Sequence, residues 1–141
     1  MNALHARIAA SFGAQGLMQT LGATLTLVED GEVHIELPFS AHLSQQHGYI
    51  HAGAVTSVVD SACGYAALTQ VADDTEVTTV EYKINFLAAF QGGELRAVGR
   101  VVKAGRRIVI TTAEVFHRAE GHQESLCCVM QQTLVPVPKT G

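Results

Sequence analysis

Residues 45–67 read QQHGYIHAGAVTSVVDSACGYAA and hold a single carboxylate, Asp60, among valines, alanines and a cysteine. Moving an ionised carboxylate into apolar surroundings is costly unless the group is paired or hydrogen-bonded. A lone acid in this position therefore needs a structural or a chemical role. Because a His-Ala-Gly turn at residues 51–53 directly precedes the apolar run, we interpret this stretch as a candidate active site.

The apolar side chains of this stretch recur with helical spacing. They follow the i, i+3, i+4, i+7 pattern at Val55, Val58, Val59, Ala62 and Ala66. The pattern predicts a helix that begins near His51 or Ala52. Its other faces carry small residues, among them Gly53, Ser57 and Gly64, which let neighbouring backbone approach closely. We expect the rest of the protein to wrap around this helix.

Shorter elements are predicted on both sides. Residues 3–19 predict one or two short helices that cap a sheet, and residues 22–39 predict a hairpin around Glu29-Asp30-Gly31. A polar loop, residues 40–50, leads into the long helix. Beyond Asp73-Asp74 the sequence predicts four strands, the first of which alternates apolar Val80, Tyr82, Ile84 and Phe86 with polar residues that include Thr79. The predicted turns are Gln91-Gly92-Gly93, Ala104-Gly105 and Glu120-Gly121-His122, short connections that suit sequential hairpins rather than crossover helices.

This order of elements predicts an α+β fold in which a mostly antiparallel sheet curls around one long central helix. The length of 141 residues suits one domain over residues 1–141, and a hydrophobic content of 48% is enough for a real core. A net charge of −4 argues against a general affinity for nucleic acid. Three cysteines without a CxxC pair fit a reducing cytoplasm, and the apolar runs are too short to span a membrane.

The segment HGYIHAG, with Asp60 nine residues beyond His51, resembles the hotdog-fold thioesterases, in the branch of the phenylacetic-acid-pathway (PaaI-like) and 4-hydroxybenzoyl-CoA thioesterases. The resemblance returns at residues 78–81 and 85–87. This sequence has Ala52 where the family commonly has a second glycine, and Gln45 where it commonly has asparagine. Neither change removes the chemistry, since alanine supplies the same backbone N–H and glutamine the same amide. The resemblance implies hydrolysis of an acyl-CoA, with an aromatic or medium-chain acyl group, without metal or redox cofactor. The CoA counts as part of the substrate and not as a cofactor.

A thioester carbonyl becomes an oxyanion when it is attacked, so the site needs hydrogen-bond donors and a base or nucleophile. The backbone N–H groups of Ala52 and Gly53 are candidate donors at a helix N-terminus, and Asp60 is the candidate base or nucleophile. The resemblance adds Gln45 and His51 to the catalytic set, and Thr79 as the group that holds the water or the carboxylate, with Thr78 as the fallback. Candidate ligands of the CoA phosphates are Lys103, Arg106 and Arg107, with Arg100 nearby.

Helix geometry separates these groups. Ala52 and Asp60 are eight residues apart, which corresponds to about 12 Å of rise on an ideal helix. The donors and the carboxylate of one chain therefore cannot touch the same carbonyl. We expect a homodimer, which can pair again into a tetramer, in which Gln45, His51 and Ala52 of one chain meet Asp60 of the other.

Several alternatives stay open. Asp60 has a structural reading as a buried acid satisfied by Ser57, Ser61 or a partner's backbone, and His51 has one as a helix cap. Tyr65 and Cys63 are candidates for an acyl pocket or for plain core packing. His42, His47 and His51 lack the carboxylate or cysteine that would complete a usual metal site. The competing functions are a hydratase or dehydratase acting on acyl thioesters and a non-catalytic acyl-CoA sensor.

Overall fold

The computed structural model describes residues 2–121 and 123–140 and contains three α-helices, one 3₁₀ turn and six strands within them. The helices are α1 (Ala3–Ala14), α2 (Gly16–Leu21) and α3 (Ala52–Leu68), and the 3₁₀ turn is Ala41–Leu43. The strands are β1 (Thr24–Glu29), β2 (Glu32–Pro38), β3 (Thr75–Phe86), β4 (Glu94–Ala104), β5 (Val109–Arg118) and β6 (Glu124–Pro138). This order confirms the predicted α+β fold. Of the predicted turn at residues 120–122, His122 lies outside the described residues.

The six strands form one antiparallel sheet in the order β1-β2-β4-β5-β6-β3. Strands β3 and β4 pair with β6 and β2 rather than with each other, so the predicted turn at Gln91-Gly92-Gly93 does not form a hairpin. The antiparallel pairs β1-β2, β4-β5 and β5-β6 each join strands that are consecutive in the chain, with Glu29-Asp30-Gly31 and Ala104-Gly105 at the first two connections as predicted. Gly31 has φ +81° in the first of them, a backbone conformation that favours glycine. Strand β3, which follows α3 directly in the chain, crosses to the far edge and pairs with β6. Strands β1 and β3 are therefore the two edge strands of the sheet.

Helix α3 packs against the inner face of this sheet and supplies much of the core. Its buried residues include Val55, Val58, Val59 and Ala62. Strand β4 comes close to it at Gly99, where an added Cβ atom would lie 2.5 Å from the Ala62 carbonyl oxygen. Only glycine lets the two backbones come this near, so Gly99 fixes the distance between helix and sheet.

Strand β3 exposes most of the apolar side chains in its alternating pattern. Val80, Tyr82 and Phe86 are 57%, 41% and 46% exposed. The pairing with β6 shifts register between Thr79 and Glu81, so Val80 sits in a β-bulge. Thr79, which the alternation assigns to the polar side of the strand, lies half-buried and contacts α3. The apolar side of β3 is thus surface in a single chain.

Arg7 fastens helix α1 over the C-terminal end of α3. Its guanidinium donates to the Val71 and Ala72 carbonyl oxygens, each at 3.1 Å, and to the Thr75 carbonyl oxygen at 2.6 Å. These carbonyls follow the last turn of α3, where the helix dipole favours a cation. The clamp holds α1 beside Tyr65, whose ring meets the Phe12 ring edge-on at 6.1 Å between centroids.

Candidate active site

The N-terminus of α3 is capped by His51. Its ring Nδ1 accepts a hydrogen bond of 2.7 Å from the Gly53 N–H, and its carbonyl oxygen accepts from Ala54 and Val55. An Nδ1 that accepts leaves the ring proton of a neutral His51 on Nε2. The capping role considered for His51 is therefore present. Within the described residues the Ala52 N–H has no acceptor, so it is the N–H of this turn that remains available to a ligand.

The loop before α3 holds Gln45 in a fixed turn. The Gln45 N–H donates to the Tyr49 carbonyl oxygen at 2.8 Å, and the Gly48 N–H donates back to the Gln45 carbonyl oxygen at 2.9 Å. Gly48 has φ +86°, which this turn requires. The side-chain Oε1 of Gln45 accepts from the His47 N–H at 2.6 Å, so its Nε2 is the end left to donate. Gln45, His51 and Ala52 line one cavity of about 490 Å³.

Asp60 lies half-buried in the middle of α3 and is held through one of its two oxygens. Asp60 Oδ1 accepts from the Thr79 hydroxyl at 3.0 Å and from the Gln132 side-chain amide. No residue within 2–121 or 123–140 donates to Oδ2. Ser57 and Ser61, which the structural reading of Asp60 offered as partners, bond instead to the Gly53 carbonyl oxygen and to Gln15. The carboxylate therefore has one anchored oxygen and one available oxygen.

Gln132 is the contact that the sequence analysis missed. It lies on β6, 72 residues beyond Asp60, and its Nε2 also stands 3.2 Å from the Thr79 hydroxyl oxygen. A signal was present in the strand pattern, because the inward positions before and after it, Met130 and Leu134, are apolar. A glutamine at such a position is unusual, since buried polar side chains need partners.

A second cavity, of about 250 Å³, lies beside Asp60 and Thr79. Polar side chains line much of it. The Tyr65 hydroxyl oxygen accepts from Ser11 at 3.2 Å and from Gln15 at 3.1 Å. Tyr65 thus lines a cavity next to Asp60, whereas Cys63 is wholly buried in the core.

Among the residues that the structure describes, none lines both cavities. Within one chain the structure brings Gln45, His51 and Ala52 together in one cavity, and Asp60 with Thr79 in the other. Gly53 stands at the helix start with its N–H directed to His51. The separation agrees with the spacing expected from eight residues of helix.

The predicted phosphate ligands lie apart from both cavities. Lys103, Arg106 and Arg107 are exposed around the β4-β5 turn, and neither cavity includes them. Arg100 donates to Glu32 at 3.0 Å and to Glu114 at 3.1 Å on the outer face of the sheet. The structure does not bring these cations to the residues around Asp60.

The cysteine thiols are poor nucleophiles at neutral pH. Burial raises the pKa of Cys63 and of Cys128 to about 12 and that of Cys127 to about 11. A thiol with such a pKa stays protonated in the ordinary working range. Across the described ranges, no three His, Cys, Asp or Glu side chains come together as ligands for a metal ion.

Comparison with known proteins decides the family. Residues 47–122 match the Thioesterase superfamily. A thioesterase family protein from Silicibacter pomeroyi has the same fold with a TM-score of 0.93 and 37% identity, covering 96% of this chain and 99% of that one. The chain belongs to the thioesterase superfamily. The hotdog fold and the enzyme class implied by the sequence resemblance are thereby confirmed, and this member of the superfamily is a thioester hydrolase.

Two further proteins that are similar to this thioesterase carry informative names. A 1,4-dihydroxy-2-naphthoyl-CoA hydrolase of Listeria monocytogenes is 24% identical over 119 residues, which are 84% of this chain and 94% of that protein. The E. coli PaaI protein from the phenylacetic acid degradation operon shares the fold with a TM-score of 0.87 and 19% identity, covering 97% of this chain and 95% of that one. None of the helices in the described part of this thioesterase combines the length and apolar character that a membrane span needs.

Proposed function

We propose that this thioesterase hydrolyses an acyl-CoA to the free acid and CoA, with Asp60 as the general base or nucleophile. The observation that supports this most directly is the Asp60 carboxylate itself. Two donors hold Oδ1, whereas Oδ2, to which no described residue donates, can receive a proton or attack a carbonyl. The cysteines are poor candidates for the nucleophile, because burial raises their pKa values to about 11 to 12.

The proposed site is completed by a second copy of the chain. Strand β3 is an edge of the sheet and exposes Val80, Tyr82 and Phe86, a combination that invites pairing with another strand. If β3 pairs with its symmetry mate, the two α3 helices run side by side through their small residues Gly53, Ser57 and Gly64. Ala52 of one chain then approaches Asp60 of the other. A dimer of such dimers is part of the same proposal.

In the proposed reaction the thioester oxygen accepts hydrogen bonds from the Ala52 N–H and the Gln45 amide. On the general-base route, the partner's Asp60 takes a proton from water while the hydroxide attacks the carbonyl carbon. The tetrahedral intermediate then expels CoA thiolate, which receives that proton. On the nucleophilic route, Asp60 displaces CoA to form an anhydride, and water hydrolyses it. Neither route requires a metal or redox cofactor.

The remaining predicted residues have supporting roles in this proposal. Thr79 holds Asp60, as its hydrogen bond of 3.0 Å indicates, and His51 orders the turn that presents the Ala52 N–H. Lys103, Arg106 and Arg107 are proposed to meet the CoA phosphates at the rim of the assembled site. Their exposure leaves them available to a charged ligand.

We propose that the acyl group is aromatic and carries a polar substituent. The cavity beside Asp60 is about 250 Å³, a size that suits a small ring system, and its Ser11, Gln15 and Tyr65 would leave an alkyl chain facing polar groups. The name of the Listeria relative, a hydrolase of a dihydroxylated naphthoyl-CoA, supports the same class. Medium-chain acyl groups are the competing substrates.

The test measures thiol release from hydroxylated aromatic, unsubstituted aromatic and straight-chain acyl-CoA esters. Asp60→Asn is compared with wild type at equal oligomeric state. We expect wild-type turnover to be highest on hydroxylated aromatic esters and to fall at least ~100-fold in Asp60→Asn, the range in which a catalytic base acts. Full activity in Asp60→Asn would contradict the proposed role of this residue. Binding of every ester without turnover would favour a sensor, and water addition to enoyl esters would favour a hydratase.

A further inference from the structure

Gln132 stands out because its polar side chain is completely buried. It has no exposed surface, and among the described residues only Thr111 is another buried polar side chain. Its inward neighbours on β6, Met130 and Leu134, are apolar core residues. An apolar residue at position 132 would continue this pattern and would bury no polar group that needs a hydrogen-bond partner.

The amide of Gln132 is only half satisfied. Its Nε2 donates to Asp60, but its Oε1 is buried and has no partner within residues 2–121 and 123–140. An unpaired buried acceptor weakens a fold, so stability alone does not explain this glutamine. Residues that break a packing rule in this way are typical of functional sites.

The geometry relates the amide to one oxygen of the carboxylate. Gln132 Nε2 and the Thr79 hydroxyl both donate to Asp60 Oδ1, and Nε2 lies 3.2 Å from the Thr79 oxygen. Two donors on one oxygen fix the rotation of the carboxylate. They also leave Oδ2 without a partner in the described chain. The charge on Asp60 in turn favours the amide orientation with Nε2 toward it, since Oε1 there would face a second oxygen.

We propose that Gln132 is a positioning residue that holds the Asp60 carboxylate by Oδ1, so that Oδ2 points to the reacting centre. The inference rests on the proposed function, in which Asp60 carries the hydrolysis. Gln132 lies behind Asp60, in the core, and does not itself touch the substrate. Its removal therefore changes the chemical step and leaves substrate binding as it is.

The test compares Gln132→Met with Gln131→Met. Methionine is of similar length and shape but has no donor, and Gln131 is exposed on the opposite face of the same strand. For Gln132→Met we expect kcat to fall roughly 10- to 100-fold, as for the loss of a hydrogen bond to a charged group. KM changes less than about twofold, and the melting temperature does not fall, because an unpaired acceptor is removed with the donor. Gln131→Met keeps the wild-type kcat.

A second background separates this inference from the proposed function. In Asp60→Asn, adding Gln132→Met changes the residual rate less than about twofold, because the amide acts through the carboxylate. If Asp60→Asn is impaired but Gln132→Met keeps the wild-type kcat, Gln132 is not a positioning residue while the role of Asp60 stands. If Asp60→Asn retains full activity, the proposed function itself fails. Should Gln132→Met not fold, Gln132→Leu replaces it, and a raised KM at unchanged kcat in that variant overturns the inference.

Discussion

The residues around Asp60 differ in how far the sequence alone could indicate them. Asp60 was predictable because a lone acid among valines and alanines needs an explanation, and the helix pattern around it is local. Thr79 was identified only through the family resemblance. Gln132 was missed because its partner lies 72 residues away and no periodicity links the two positions. Contacts of this kind depend on which strands become neighbours.

Thr79→Val should lower kcat about 10-fold, because it removes one of the two donors that hold Asp60 Oδ1. Thr78→Val is the matched control, since Thr78 is exposed on the same strand and was the fallback candidate. Steady-state thiol release with both variants measures the difference. An equal loss in the two variants would show that a general effect on β3, rather than the Asp60 contact, is responsible.

The buried thiols should make the folded protein less stable as the pH becomes alkaline. The ordinary pKa of the thiol, 9.0, applies to the unfolded chain, whereas burial raises the pKa of Cys63 to about 12 in the fold. The unfolded state therefore loses its proton first, and the free energy of unfolding falls as pH rises from 9 toward 12, by about 1.4 kcal/mol per pH unit for one thiol. Urea unfolding between pH 8 and 10.5 should show a shallower decline in Cys63→Ala than in wild type. Identical slopes would mean that Cys63 does not contribute.

At the scale of elements, local features were predictable and pairing across the sheet was not. Helix α3 and the hairpins follow from periodicity and turn residues such as Gly31. The sequence does not indicate that β3 crosses to the edge beside β6, because pairing between strands far apart in the chain leaves no local pattern. The apolar residues Val80 and Tyr82 are exposed in the single chain, and under the proposed dimer a second copy of the chain covers them.

Gly99→Ala should destabilise the protein by about 1–3 kcal/mol, the usual range for overpacking. The new Cβ would meet the Ala62 carbonyl oxygen at 2.5 Å, and neither backbone has room to move without shifting α3 against β4. Gly13→Ala is the control, because this exposed helical glycine has no atom within 4 Å of an added Cβ. Urea unfolding should show little change or a gain for Gly13→Ala. Similar stability of Gly99→Ala and wild type would show that α3 is not held at this distance.

At the scale of the whole molecule, the division of the site between two cavities leads to the proposed dimer. The distance between Ala52 and Asp60 was predictable from helix geometry alone. That spacing also predicts a second copy of the chain as the partner, but a single chain shows only the exposed surface that this copy would meet. The oligomeric state therefore stays a prediction.

Two inactive variants should restore each other if the site is shared. Gln45→Ala removes a donor from one half of the site and Asp60→Asn removes the carboxylate from the other. In a mixed dimer one of the two sites receives neither substitution, so random exchange of equal amounts should recover about one quarter of the wild-type activity. The measurement is thiol release after the two variants are unfolded and refolded together. Activity no higher than the mean of the separate variants would place both residues in one chain's site.

The clamp of Arg7 on the end of α3 has a consequence for how this enzyme can diversify. It attaches α1 by contacts remote from Asp60, Thr79 and Gln132. Helix α1 brings Ser11 to the cavity wall, and Gln15, the residue that follows the helix, lies there as well. The cavity-lining residues of this segment can thus be substituted while the Arg7 contacts and the reacting groups stay unchanged. Under the proposed function, part of the selectivity therefore lies on a segment that carries none of the reacting groups, and substrate preference can change there without rebuilding the reaction.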